Sequence, residues 1–112
     1  MSTIQEVITL FHKAEPLFIA IGDPNRQQIV AQLLQAHKLS VNEIADGTPL
    51  SRPAISHHLK ILRDTGLVDV ERSGTQRLYF MPDSALEHLD TFEALVKALR
   101  ECTAWQDETI TK

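Results

Sequence analysis

Six side chains between Arg52 and Arg63 have the types and the spacing for recognition chemistry. Arg52, Pro53, Ser56, His57, Lys60 and Arg63 fall on one side of a helix, while Ile55, Leu59 and Leu62 form an apolar stripe on the other. The polar side carries cations and short hydrogen-bonding groups, with no carboxylate before Asp64. Phosphate oxygens attract such cations, and short side chains reach base edges in the major groove of duplex DNA. The alternative is a merely solvated helix face. Catalysis fits poorly: Ser56, His57 and His58 are neighbours in sequence, but successive residues on a helix point apart, and no glycine-rich loop or carboxylate pair accompanies them. His58 lies nearer the apolar stripe and reads as a half-buried packing or backbone-bonding residue.

The elements that must position this face can be read from their punctuation. Ser51 is a strong N-cap, Pro53 is tolerated in a first turn, and Gly66 ends the helix, which spans about Arg52 to Thr65. Upstream, Ser40-Val41-Asn42-Glu43 is a capping box opening a short helix through Ala45, and Gly47-Thr48-Pro49 turns the chain toward Ser51. Downstream, Val68 to Arg72 and Arg77 to Met81 are β-prone runs separated by Ser73-Gly74-Thr75-Gln76, a hairpin with glycine in its turn. Its Arg72, Gln76 and Arg77 are candidates for phosphate or minor-groove contacts, although arginines on an exposed hairpin often serve only solubility. Helix, turn, helix and basic hairpin make a mainly α, winged helix-turn-helix fold.

The run SRPAISHHLKILRDTGLVDVERSGTQRLYF resembles the recognition helix and wing of the ArsR/SmtB-like bacterial repressors. Upstream, Ile21-Gly22-Asp23-Pro24-Asn25-Arg26 followed by QQIVAQLL resembles the "ALADPTR" opening of that family's second helix, with asparagine where threonine is usual. The resemblance covers roughly Leu17 to Met81 and implies a sequence-specific, DNA-binding homodimer that represses transcription. One departure stands out: Pro49 replaces the family's turn glycine, with Gly47 two residues earlier.

A chain of 112 residues, 43% hydrophobic, is expected to form one domain with a modest core. Its organisation reads as a DNA-binding core over about 24–81, flanked by dimerisation helices over about 1–22 and 84–106. In the last helix Ala85, Leu89, Phe92, Val96 and Leu99 follow alternating steps of four and three, with Leu86, Leu95 and Cys102 widening the stripe. Asp83 or Ser84 should cap it, and it should continue to about Trp105. Near the start, Ile4, Val7, Ile8, Leu10, Phe11, Leu17, Phe18 and Ile21 exceed what one face of a small domain requires, and Pro16 should divide or kink that region. Phe11, Leu89, Phe92, Val96, Leu99 and Cys102 are therefore candidate dimer contacts, the alternative being an ordinary core. Twofold symmetry predicts an inverted-repeat operator with half-sites about one helical turn apart or a multiple of it.

The net charge of −4 is unevenly placed: residues 51–77 carry +2, residues 1–23 carry −2 and residues 78–112 carry −4. Long-range attraction to DNA should be weak, leaving specificity to local contacts. The acidity also keeps open a winged helix used only for protein interaction. No secretory signal opens the sequence and no apolar run approaches the ~20 residues of a membrane span, so a cytoplasmic location is expected. Metal sites known in the resembling family lack their ligands: Ser40 and Asn42 stand where an arsenic-type cysteine pair would sit, and His88 is the lone histidine of the last helix, without the Asp-x-His and His-x-x-His pairs of a zinc-type site. No cofactor is expected, and any small-molecule effector is unidentified. A metal- or redox-responsive repressor using another site is the remaining alternative, with Cys102, the single cysteine, as its redox candidate and a buried small hydrophobe as the plainer reading.

Overall fold

The computed structural model describes residues 2–102. Helix α1 (Ile4–Ile21) leads into α2 (Pro24–Ala36), α3 (Val41–Asp46) and α4 (Arg52–Asp64); strands β1 (Asp69–Ser73) and β2 (Gln76–Phe80) form an antiparallel hairpin, and α5 (Leu86–Glu101) closes the order. This is the expected winged helix-turn-helix. The expected continuation of the last helix to Trp105 lies outside the described residues.

Each helix of the helix-turn-helix begins on a side-chain cap. Ser40 Oγ accepts from Glu43 N at 3.2 Å while the Glu43 carboxylate accepts from Ser40 N at 2.9 Å, the reciprocal box the sequence predicts. Ser51 Oγ accepts from Ala54 N at 3.3 Å. Gly66 ends α4 with φ +85°, a conformation that only glycine adopts without strain. In the hairpin, Ser73 pairs with Gln76, so both belong to the strands and the turn is only Gly74-Thr75. Gly74, φ +64°, takes the first turn position, whose geometry matches the twist of the strands. Each strand is therefore shifted by one residue from the sequence reading.

The junction between α1 and α2 gives a physical meaning to Gly22-Asp23-Pro24-Asn25-Arg26-Gln27. A helix leaves its last carbonyls without partners. Here Arg26 donates to the carbonyls of Ala20 (3.0 Å) and Ile19 (2.8 Å), and Gln27 donates to that of Ile21 (2.7 Å). Gly22 permits the close approach, since a Cβ there would lie 2.7 Å from the Phe18 carbonyl oxygen. Asp23 Oδ1 accepts from Asn25 N at 2.7 Å and Arg26 N at 3.3 Å, starting α2. Those two bonds, the one from Asn25 first, hold its carboxyl below the ordinary value of 3.8, against a partial opposing effect of desolvation.

Two expectations about the flanking helices are corrected. Pro16 does not divide α1, which runs unbroken for 18 residues. Proline withholds only one helical donor, and Ala14, Leu17 and Ala20 remain buried on both sides of it. Neither Asp83 nor Ser84 caps α5 with its side chain; a 3-10 turn over Asp83–Ala85 leads into the helix instead, with Ala85 N bonded to the Pro82 carbonyl at 2.9 Å.

The main core gathers Ile29, Ile44, Ile55, Leu59, Leu62 and Leu67 around the three central helices, with Tyr79 sealing the base of the hairpin. Tyr79 also exchanges two backbone bonds with Leu39, fastening the hairpin beside α3. A second, smaller core of Val7, Ala14, Leu95 and Ala98 joins α1 to α5. Beside this seam lie apolar side chains that the monomer leaves 37–63% exposed, among them Ile4, Ile8, Phe11, Phe18, Leu86, Leu89 and Phe92. Phe18 and Phe92 meet edge to face at 5.9 Å, so the exposed faces of α1 and α5 join into one surface.

Candidate nucleic-acid interface

Helix α4 is rolled so that Ile55, Leu59 and Leu62 are fully buried and Arg52, Pro53, Ser56, His57, Lys60 and Arg63 are all exposed. The segregation predicted from spacing is therefore present. His58 is half-buried, and its Nδ1 lies 3.4 Å from Arg26 Nη1. A guanidinium can only donate, so in any hydrogen bond between the two Arg26 is the donor and the imidazole nitrogen the acceptor. His58 thus faces the α1–α2 junction, away from the exposed cations, as its position near the stripe implies.

The cations of this surface differ in how they are held. Lys60 pairs with Asp64 one turn along α4, Nζ to Oδ2 at 3.0 Å, an exposed pair of small net worth. Arg52, the first residue of α4, donates through Nε to Asn42 Oδ1 of α3 at 2.6 Å. Lys38, in the loop after α2, pairs with Glu71 of β1 and places Nζ 5.4 Å from the Phe80 ring centroid. Neither Asn42 nor Lys38 was singled out for such a role in the sequence. Their partners come from different elements, and only the offset of ten between Asn42 and Arg52, spanning the starts of two successive helices, hinted at the first.

The wing adds two arginines, equal in number to its carboxylates, Asp69 and Glu71. Arg72 and Arg77 stand directly opposite each other on β1 and β2. Like charges so placed destabilise a hairpin. With Arg63 of α4 they line a cleft of about 290 Å³ whose carboxylate, Glu71, is already paired with Lys38. A second cleft, about 330 Å³, opens between α3, α4 and the wing, and Asn42, Ser56, Gln76 and Arg77 are among its walls. Five of the nine candidate DNA contacts, Ser56, Arg63, Arg72, Gln76 and Arg77, therefore line these two clefts, while Arg52, Pro53, His57 and Lys60 lie on the adjoining exposed face of α4.

Among the described residues no three or more His, Cys, Asp or Glu side chains are grouped as metal ligands. His88 packs under the end of α4, its Nε2 3.2 Å from where a Cβ on Gly66 would be. Cys102 is half-buried at the C-terminal cap of α5. Of the remaining candidate dimer contacts, Phe11, Leu89 and Phe92 are exposed, and Val96 and Leu99 are half-buried. No helix among the described residues is long and apolar enough to cross a membrane.

A capped two-helix unit with an outward cationic face, followed by a two-stranded hairpin, defines a winged helix-turn-helix DNA-binding protein. Comparison with known proteins narrows the class. Residues 23–70 match the family described as "Bacterial regulatory protein, arsR family". The chain is 34% identical over 79 residues to an HTH-type transcriptional regulator of Methanocaldococcus jannaschii, a match covering 70% of this chain and 89% of that one. It is 40% identical over 76 residues to the HTH-type transcriptional repressor SmtB of Mycobacterium tuberculosis, covering 68% of this chain and 56% of the repressor, so it spans little more than half of that relative. The solved structure of an ArsR-like transcriptional regulator from Rhodococcus sp. RHA1 superposes with a TM-score of 0.72 at 26% identity, over 88% of this chain and 92% of that one. The chain belongs to the ArsR/SmtB family of DNA-binding transcriptional regulators, which are not enzymes.

Proposed function

We infer that the protein is a homodimeric repressor that reads an inverted-repeat operator, without the usual metal sites of its family. It would act in the cytoplasm, where the chromosomal DNA lies. Ser56 and His57, with Arg52 and Pro53, face base edges or the adjoining backbone; Lys60 and Arg63 approach phosphates; Arg72, Gln76 and Arg77 of the wing hold phosphates or enter the minor groove. The observation that carries this reading is the Arg72–Arg77 pair beside Arg63, three cations around one cleft with no free carboxylate among its lining residues. A free protein loses stability by such an arrangement, and a polyanion removes the cost. Dimerisation is supported by the joined apolar faces of α1 and α5, carrying Phe11, Leu89, Phe92, Val96 and Leu99. Cys102 ends the same helix. Repression is inferred from the SmtB relative, a transcriptional repressor. The metal-free reading rests on the absence of cysteine from α3 and on His88 as the sole histidine of α5.

Fluorescence-anisotropy titration against the DNA upstream of its own gene, at two salt concentrations and with zinc, chelator or oxidant added, tests the proposal. Binding tighter than to a scrambled duplex, weakened by salt and indifferent to all three additions, is the expected result. Loss of binding with zinc or oxidant would overturn the metal-free reading in favour of a sensor. Equal affinity for the scrambled duplex would overturn sequence-specific repression and favour a protein-interaction module.

A further inference from the structure

We propose that Asn42 positions Arg52 to read a guanine, making this pair, from two different helices, a determinant of base specificity. The inference rests on the DNA-reading role proposed above for α4. Arg52 opens α4, the end of a recognition helix from which side chains reach base edges. Its Nε is occupied by Asn42 Oδ1 at 2.6 Å, and among the described residues no carboxylate pairs with its guanidinium. Holding an arginine by Nε leaves Nη1 and Nη2 side by side at the end of an exposed residue, free to donate in parallel. Two parallel N–H donors are what the O6 and N7 acceptors of guanine require in the major groove.

Asn42 is suited to the task for reasons beyond that bond. It is the second residue of α3, whose start is fixed by the Ser40–Glu43 capping box, so its backbone is held. Its side chain borders the cleft that also contains Ser56, Gln76 and Arg77, where the duplex backbone would pass. An amide oxygen accepts from Nε without neutralising the guanidinium, whereas a carboxylate there would compete with the DNA for it. A free arginine loses considerable rotamer freedom on binding; one already tied at Nε loses less for each bond it then makes. The arrangement preorganises the reader without adding negative charge.

Duplexes enriched by the wild-type dimer from a random library supply the probe. Competition titrations then compare that site with versions in which one G·C pair per half-site becomes A·T. A bidentate arginine discriminates by about 5- to 150-fold at its position. Arg52→Ala should abolish discrimination at one position of each half-site. Asn42→Ala should reduce discrimination there by roughly 3- to 10-fold, the effect of freeing one long side chain, with less than about twofold change at other positions. Asn42→Asp puts a carboxylate where the amide was, so it should compete for the guanidinium, lowering discrimination at that position and weakening every duplex as well. A structural role for Asn42 would move all positions together.

Unchanged discrimination in Asn42→Ala, or a uniform loss across positions in Arg52→Ala, overturns the proposal and leaves the regulator reading intact. Failure of the wild-type protein to enrich any sequence overturns that reading, and this proposal with it.

Discussion

Replacing Arg77 by threonine should move stability and DNA affinity in opposite directions. Arg77 faces Arg72 directly across the hairpin, and a β-branched residue fits a strand better than a second cation does. Cross-strand pairs are worth about 0.2–1 kcal/mol, so Arg77→Thr should stabilise the free protein by a few tenths to about 1 kcal/mol. On DNA the effect reverses. If Lys60, Arg63, Arg72 and Arg77 each neutralise one phosphate, a dimer neutralises about eight, and log Kobs should fall with log salt at a slope near −7, that is about −0.9 per phosphate. Removing Arg77 from both protomers brings the slope to about −5.4, which reduces the loss of affinity between 50 and 200 mM salt by roughly tenfold.

Two measurements check this, a urea titration of the free protein and an anisotropy titration on the enriched duplex at four salt concentrations. A lower urea midpoint for Arg77→Thr would refute the argument that the paired arginines are strained. An unchanged salt slope would refute the placement of Arg77 against a phosphate. Affinity must also fall about equally for specific and scrambled duplexes, because a phosphate contact carries no base information.

The proposed dimer surface is tested by Phe11→Ala. The ring is 44% exposed in the monomer, so completing its burial in two protomers is worth about 1.3–2.6 kcal/mol, and the dimer dissociation constant should rise about 10- to 80-fold in sedimentation dilution series. Arg26→Ala leaves the carbonyls of Ile19 and Ala20 without their donors and should cost about 1.5–3 kcal/mol in urea unfolding. Asp23 has its pKa lowered by the backbone bond from Asn25, so the stability it contributes is complete above its unfolded value of 3.8 and is lost as pH falls through the lower folded value. Asp23→Asn should flatten the acid limb of the urea midpoint below about pH 4, and an unaltered limb would place the acid sensitivity elsewhere.

Local chemistry made the recognition unit legible. Ser40 with Glu43, Ser51, Gly66 and Gly74 are determined by bonds or dihedral angles within a few residues of themselves, and each sits where its type predicts. The exposed face of α4 was legible because its apolar stripe has a single helical phase. Helix α5 was harder, since two apolar tracks run along it one residue apart. Leu95 and Ala98 face α1 in the same protomer, while Leu89 and Phe92 face outward; spacing alone merges them into one wide stripe. Which track closes the monomer depends on where Val7 and Ala14 lie, and that is tertiary information. The same limit hid the Asn42–Arg52 and Lys38–Glu71 pairs, and it made Pro16 look more disruptive than it is.

These pairs also bear on how an acidic chain can be selective for DNA. Of the cations from residue 24 to residue 77, Arg26 is turned inward to the end of α1, Lys38 is joined to Glu71, Lys60 to Asp64, and Arg52 to an amide. Arg63, Arg72 and Arg77 are left around one cleft. With a net charge of −4 on each chain, few unengaged cations remain to hold an arbitrary duplex, so sequence-independent affinity is expected to be low. What matters in a genome is the ratio of specific to non-specific binding multiplied over a very large number of competing sites. On the proposed assignment of contacts, a face whose arginines are few, grouped and in one case oriented from a neighbouring helix would raise that ratio from both sides: weak attraction to phosphate in general, and well-placed donors where the bases are right.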